Sequence, residues 1–328
     1  MPVGWPPRNG ASAAGPERML IVTNGTAAVG ALDDAGIPGE RLAWEDVLHD
    51  GPIPEALDLE ALSRVRARFI ADRGWGAFDE VLARFRVRDA RLRRAHDDDE
   101  VVLWFEHDLY DQLQLIQVLD WLAAPARRPA RLSLICHARF VGKSTAPELQ
   151  RDFDTRTPVL VAQIGLAADA WAAVCAPTPE FTVALLNRDT GVLPFLRGAL
   201  LRFLEELPAR DGLARSERQL LRAVAEGAAT VGDAFWRAQQ LENPTYLGDA
   251  SFQCYAERLM QGPAPLLRAD GGVLSLTDVG RAVLAEREDR IRINGIHRWW
   301  GGVRLTTESL WRWDAERQML RPPKRQVE

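Results

Sequence analysis

Cysteine is scarce in this 328-residue chain: Cys136, Cys175 and Cys254 are the only three, odd in number and in no metal-ligand spacing. A disulfide framework is excluded, and free thiols in a reducing cytoplasm are the simplest expectation. Lysine is scarcer still, with Lys143 and Lys324 alone among 41 basic residues, so the arginine bias reads as GC-rich coding rather than a function. No apolar run approaches the roughly 18 residues of a membrane span, so no membrane partner is expected. Residues 1–16 open MPVGWPPRNG, lack the apolar core of a signal peptide and read as a flexible leader. Positive charge is not in excess either: a net charge of -5 argues against a broad phosphate-gripping surface and makes nucleic acid an unfavoured partner. The first strand carries no G-x-G-x-x-G, and no Ser or Cys stands where a nucleophile is needed.

What is present is a soluble globular composition, 47% apolar and 27% charged, at a length that suits two domains. The most informative stretch is residues 101–123, VVLWFEHDLYDQLQLIQVLDWLA. Its first five residues read as a fully buried strand, and Leu109, Leu113, Ile116 and Leu119 then recur at helical spacing. Glu106, His107 and Asp108 therefore stand where a buried strand becomes a helix, with Asp111 and Gln112 in the first helical turn. In open α/β sheets ligands gather at that edge. The stretch supports a site without naming its reaction.

Residues 19–23 (MLIVT) read as the first strand, Asn24-Gly25 as its turn and Thr26 as the cap of a helix over 27–35, whose start could face an anion. Residues 41–44 read as the second strand, and Asp46 and His49 in the loop after it are expected to share a cleft with Glu106–Asp108. Residues 57–94 form a long arginine-rich helical stretch broken at Gly74-Trp75-Gly76, its arginines read as a solvated face. Asp97–Asp99 reads as an exposed loop. After a strand over 131–136 the loop ends in Gly142-Lys143-Ser144-Thr145. That is the tail of a phosphate-binding loop without its first glycine, and Thr145 with Glu148 equally satisfies a capping box. Helices are expected over 157–176 and 192–207.

Rossmann-like organisation, a mostly parallel sheet with flanking helices, is thus expected over 17–207. Beyond Pro208 the pattern changes to three helices, a hairpin and a helix opening LTDVGRAVL, a mainly helical winged-helix-like domain over 211–290 with residues 249–261 as recognition helix. That region carries twelve acids and nine arginines, a poor match to a polyanion, so a protein-contact or structural role is favoured. Residues 291–328, dense in Trp and Arg, are expected to pack on both domains, with Gly301-Gly302 allowing a tight hairpin or a close backbone approach.

Met19-Leu-Ile-Val-Thr-Asn-Gly, Trp44-Glu-Asp-Val-Leu-His-Asp-Gly-Pro, Trp104-Phe-Glu-His-Asp-Leu-Tyr-Asp-Gln-Leu, Tyr246-Leu-Gly-Asp and Arg298-Trp-Trp-Gly-Gly-Val-Arg-Leu resemble the bacterial domain-of-unknown-function family 1835. The resemblance spans roughly residues 19–313 and implies no activity. Members usually carry an acid after the Thr-Asn-Gly turn, where this chain has Thr26.

Three functional readings remain open. The first is an enzyme, a hydrolase or group transferase acting on a phosphorylated or nucleotide-like small molecule. His107 would be its acid/base, Glu106 or Asp108 would orient the ring, and Asp46 and His49 would stand on the substrate side. Asn24, Gly25, Asp111, Gln112 and Lys143 would bind substrate. The second is a ligand-sensing regulator, with a homodimer and a positive face around Arg258. The third is an interaction protein. No cofactor is identified and no residue is assigned to a metal, although these His and carboxylate groups leave a divalent cation open.

Overall fold

The apolar runs of the first half become strands of one sheet in the computed structural model, which describes residues 17–323. The leader expected over 1–16, and Lys324, lie outside those residues. β1 (Met19–Thr23) leads through α1 (Thr26–Asp34) to β2 (Glu40–Ala43). A two-residue strand β3 (Gly51–Pro52) and helices α2 (Leu59–Asp72) and α3 (Phe78–Arg93) precede β4 (Glu100–Phe105). Then come α4 (Leu109–Trp121), β5 (Arg131–Cys136), α5 (Ala146–Asp154), β6 (Thr157–Pro158) and α6 (Val161–Cys175). Strand order is β2-β1-β4-β5-β6, parallel throughout except for β6.

β4 is buried at all of its positions because helices cover both faces of the sheet. Val101, Leu103 and Phe105 join the core formed with α4 and α6, whereas Val102 and Trp104 face α1 and α5. The chain thus leaves β1 toward one face and β4 toward the other. The carboxyl ends of these two strands are the switch point of the sheet, the edge at which open α/β folds place ligands. The charged residue that opens β4 is matched: Glu100 accepts hydrogen bonds from Ser133 Oγ (2.6 Å) and Arg156 Nε (2.9 Å).

Several expectations change. The helix over 157–176 begins only at Val161, because Thr157–Pro158 pairs as an edge strand, a position that tolerates proline. The helix expected over 192–207 is the shorter α8 (Leu196–Leu204), and α7 (Glu180–Leu186) precedes it, too short for a periodic stripe to mark it. Arginines read as a solvated face prove partly internal. Arg66 is fully buried and donates to Asp46 Oδ1 (2.9 Å) and to the carbonyls of Val47 (2.7 Å) and Asp50 (2.8 Å). Arg88 donates to the Trp44 carbonyl (2.9 Å) and Ser63 Oγ (3.0 Å). Both supply donors to a loop whose carbonyls have no strand partner. In the Asp97–Asp99 loop, Asp98 is buried against Arg91 rather than exposed.

In the second half, α9 (Arg215–Ala225), α10 (Val231–Gln239) and α11 (Asp249–Leu259) pack on one another. An antiparallel hairpin, β7 (Leu267–Asp270) with β8 (Val273–Leu276), follows, then α12 (Asp278–Leu284) and α13 (Arg290–Asn294). The Trp/Arg-rich segment forms β9 (Arg298–Gly301) and β10 (Val303–Leu305), then β11 (Arg312–Asp314) with β12 (Met319–Arg321). β9 pairs in parallel with β3, Gly51 opposite Trp300, tying this segment to the sheet-bearing half. One hydrophobic cluster runs unbroken from Leu20 to Trp313. Among the described residues no helix is long and apolar enough to cross a membrane.

The two glycines of the β9–β10 turn permit both things foreseen for them. Gly301 sits at φ +54, and a Cβ on Gly302 would meet the Cys175 carbonyl oxygen at 1.8 Å. Gly302→Ala must move backbone, so it is expected to lower unfolding free energy by about 3 kcal/mol or more in a urea titration. Gly165→Ala, on α6 with nothing within 4 Å, should be neutral or stabilising by less than about 1 kcal/mol.

Candidate functional site

Three carboxylates meet beyond the carboxyl ends of β1 and β4. Glu106 follows the last residue of β4, Asp108 caps α4, and Asp111 lies in its first turn; one oxygen from each falls within 4.8 Å of the others. All three are buried. Local folding explains the convergence. Asp108 Oδ1 accepts from the Asp111 N–H (3.1 Å), the ordinary task of an aspartate at a helix start. Asp111 reaches back, its Oδ1 accepting from the Glu106 N–H (2.6 Å) and its Oδ2 from Asn24 Nδ2 (2.9 Å). Glu106 Oε1 accepts from the Val141 N–H (2.7 Å), and Gln112 Nε2 donates to the Glu106 carbonyl (2.7 Å). The ends of β1, β4 and β5 are thereby braced on one point.

Crowding of like charge in a buried place keeps protons on such groups. Burial, then the Glu106 charge, push Asp108 up to about 7, against the N–H groups of Asp111 and Tyr110. Asp111 is raised well above the ordinary carboxylate range by burial and by Asp108 and Glu106. Burial also raises Glu106, opposed by the Val141 N–H, Asn24 and the Lys143 charge. Cys136, which accepts from Gln112 Nε2 (3.4 Å), is pushed up to about 12 by burial and these acids, so it stays a thiol. The arrangement can hold and exchange a proton near neutrality. Its three convergent oxygens are also the group among the described residues that could hold a divalent cation.

The remaining expected residues divide. Successive side chains in extended backbone point oppositely, and His107 accordingly turns away from both flanking acids. Its ring lies against Phe140 (5.2 Å) and Phe195 (5.8 Å), it makes no hydrogen bond to Glu106 or Asp108, and burial lowers its pKa. With Arg202, Glu242 and Pro244 it lines a separate cavity of about 300 Å³. The carboxylates therefore do not orient this imidazole.

Asp46 and His49 make no hydrogen bond or ion pair with Glu106, Asp108 or Asp111 among the described residues. The Asp46 carboxylate is engaged by Arg66, and His49 is packed between the rings of Tyr110 (6.0 Å) and Tyr246 (5.1 Å). Burial drives His49 down to about 4. Tyr110, whose hydroxyl reaches the Asn24 carbonyl (3.5 Å), stands between the two groups. Gly25, not Thr26, is the N-cap of α1, and the Thr26 N–H donates to Glu45 Oε1 (3.1 Å), so a carboxylate of the chain itself meets the amide expected to face an anion. Thr145 donates its N–H and hydroxyl to Glu148 (2.8 and 2.7 Å), the capping alternative for that loop. The Lys143 ammonium lies over Phe140 (4.6 Å).

His49 opens onto a buried ionic seam between the 46–52 loop and the C-terminal helices. Asp50, Glu206 and Glu217 face Arg258, Arg290 and Arg298 there. Arg258 is thus internal, 3.9 Å from Glu217, and not on an exposed face of α11 as a recognition helix requires. Glu45, Val141 and this seam had no signal in the sequence, since each acts through tertiary contact alone.

No protein-family model matches this chain, and no curated protein matches it.

Proposed function

We propose that the chain is an enzyme, a hydrolase or group transferase, acting on a phosphorylated or nucleotide-like small molecule beyond the carboxyl ends of β1 and β4. The observation that carries this reading is the convergence of Glu106, Asp108 and Asp111, with Asp108 raised to about 7. A carboxyl group poised near the working pH both gives and takes a proton, as general acid–base catalysis requires. Asp108 exchanges the proton with the substrate, while Glu106 and Asp111 keep its pKa high. Asn24 and Gln112 hold the acids in place, and Lys143 takes the anionic group of the substrate.

A second reading has a specific observation behind it: the same three oxygens, within 4.8 Å, would seat Mg²⁺ or Mn²⁺ and let it carry the phosphate. A panel of phosphate monoesters and nucleoside phosphates, assayed with and without Mg²⁺, tests both. Turnover that Asp108→Asn abolishes supports the proposal, its dependence on Mg²⁺ selects the second form, and absence of turnover across the panel in both conditions contradicts it.

Membership of domain-of-unknown-function family 1835 belongs to the same proposal. The segments that carry the resemblance supply Asn24, Glu106, Asp108 and Asp111 to the centre and His49, Tyr246 and Arg298 to the seam beside it. A winged-helix-like role for 211–290, read from the order α9, α10, α11, hairpin and α12, is proposed as structural or protein-binding, because Arg258 is turned inward. A cytoplasmic setting agrees with three unpaired cysteines.

A further inference from the structure

A groove of about 490 Å³ lies where β9 meets α2, on residues the carboxylate centre does not use. Arg64, Arg68 and Phe69 of α2 line it with Phe78 of α3, Trp299 of β9 and Pro52 of β3. Three features point to a ligand class. Neither Arg64 nor Arg68 has a carboxylate within ion-pair distance among the described residues, although 29 such pairs engage other cations of the chain. Asp72 is the one acid in the lining, so the groove is net cationic in a chain of net charge -5.

The Arg68 guanidinium is also held 4.1 Å above the Phe78 ring. A guanidinium so supported presents its outer face as a platform for a planar ring, and Trp299 brings a further aromatic surface to the same lining. The volume matches a small molecule rather than a polymer. The chain's net charge of -5 weighs against a polyanion.

We infer that this groove binds a planar heteroaromatic ring bearing an anionic group, of the class of a nucleoside monophosphate, with the ring between Trp299 and Arg68 and the anion on Arg64. The site is independent of the chemistry assigned to Glu106, Asp108 and Asp111. It joins the two halves of the chain, so occupancy clamps β9 against α2.

Isothermal titration of the full chain with AMP tests it. Binding is expected in the wild type, and a loss of at least about tenfold in Arg64→Gln/Arg68→Gln, whose exposed positions leave folding intact. Trp299→Leu, with its fold checked by circular dichroism, should lose a similar factor. Inorganic phosphate should bind at least about tenfold more weakly than AMP. Equal affinity for phosphate and AMP, binding unaffected by the double variant, or no binding of AMP would each overturn the inference. So would an oligothymidylate binding more than about tenfold tighter than TMP, which would make the groove a single-strand site.

Discussion

Asp108→Asn and Glu106→Gln are each expected to lower turnover of the phosphorylated substrate by about 10²–10⁴-fold, the range seen when a general acid or base is removed. Both variants should fold with wild-type stability or better. Burial raises the pKa of both groups, so folding disfavours their charged forms, and an amide carries no charge to desolvate. A loss of activity together with a loss of folding would mean that the two acids are braces for the strand ends and nothing more.

The pH dependence gives an independent sign. If protonated Asp108 donates to the leaving oxygen, the rate is level below pH 7 and falls tenfold per unit above it. Asp108→Asn removes that limb. His107→Ala, whose ring faces the neighbouring cavity, should change turnover by less than about tenfold and leave the limb where it is. A loss as large as that of Asp108→Asn would move the chemistry to His107.

Glu217→Ala is expected to cost about 3–5 kcal/mol in a urea titration, because it leaves the inward-facing guanidinium groups of Arg258 and Arg290 without their counter-charge. Glu217 stands 3.9 Å from both Arg258 and Arg290; Glu217 and Arg290 are buried and Arg258 is half-buried. Burial alone would raise the Glu217 pKa, but Arg290, Arg298 and Arg258 together hold it at about 2. A carboxylate lowered by folding stabilises the native state above its unfolded pKa, and that stabilisation is lost as pH falls toward the folded value. The difference between wild type and Glu217→Ala should therefore be full at pH 6 and shrink between about pH 4.5 and 2. Arg281→Ala, which breaks an exposed pair with Asp278, should cost less than about 1 kcal/mol. Equal effects of the two variants would show that the seam is solvated.

The residues that made the centre legible in the sequence are those whose placement follows from local structure. An apolar run of five ending in Glu106 fixes a strand end, and an aspartate before a periodic stripe fixes a helix start, so Glu106, Asp108 and Asp111 are bound to lie near one another. The side on which His107 emerges follows from the same alternation, but the partners it meets, Phe140 and Phe195, come from distant segments. Asp46 and His49 share the sheet edge with the centre yet face elsewhere, since Arg66 of α2 and Tyr246 of the C-terminal half reach them first. Arginine was the least legible residue of all. On a helix Arg66, Arg88 and Arg258 look like solvated charge, and only the carbonyls and carboxylates brought by other elements make them internal.

The most direct measurement is a carboxyl-¹³C NMR titration of the aspartates, with Asp108 assigned by comparison with Asp108→Asn. A midpoint near 7, moving on addition of a turned-over phosphate ester, is the result expected of three acids crowded at a ligand site. A midpoint at the ordinary 3.8, indifferent to any such ester, would contradict it.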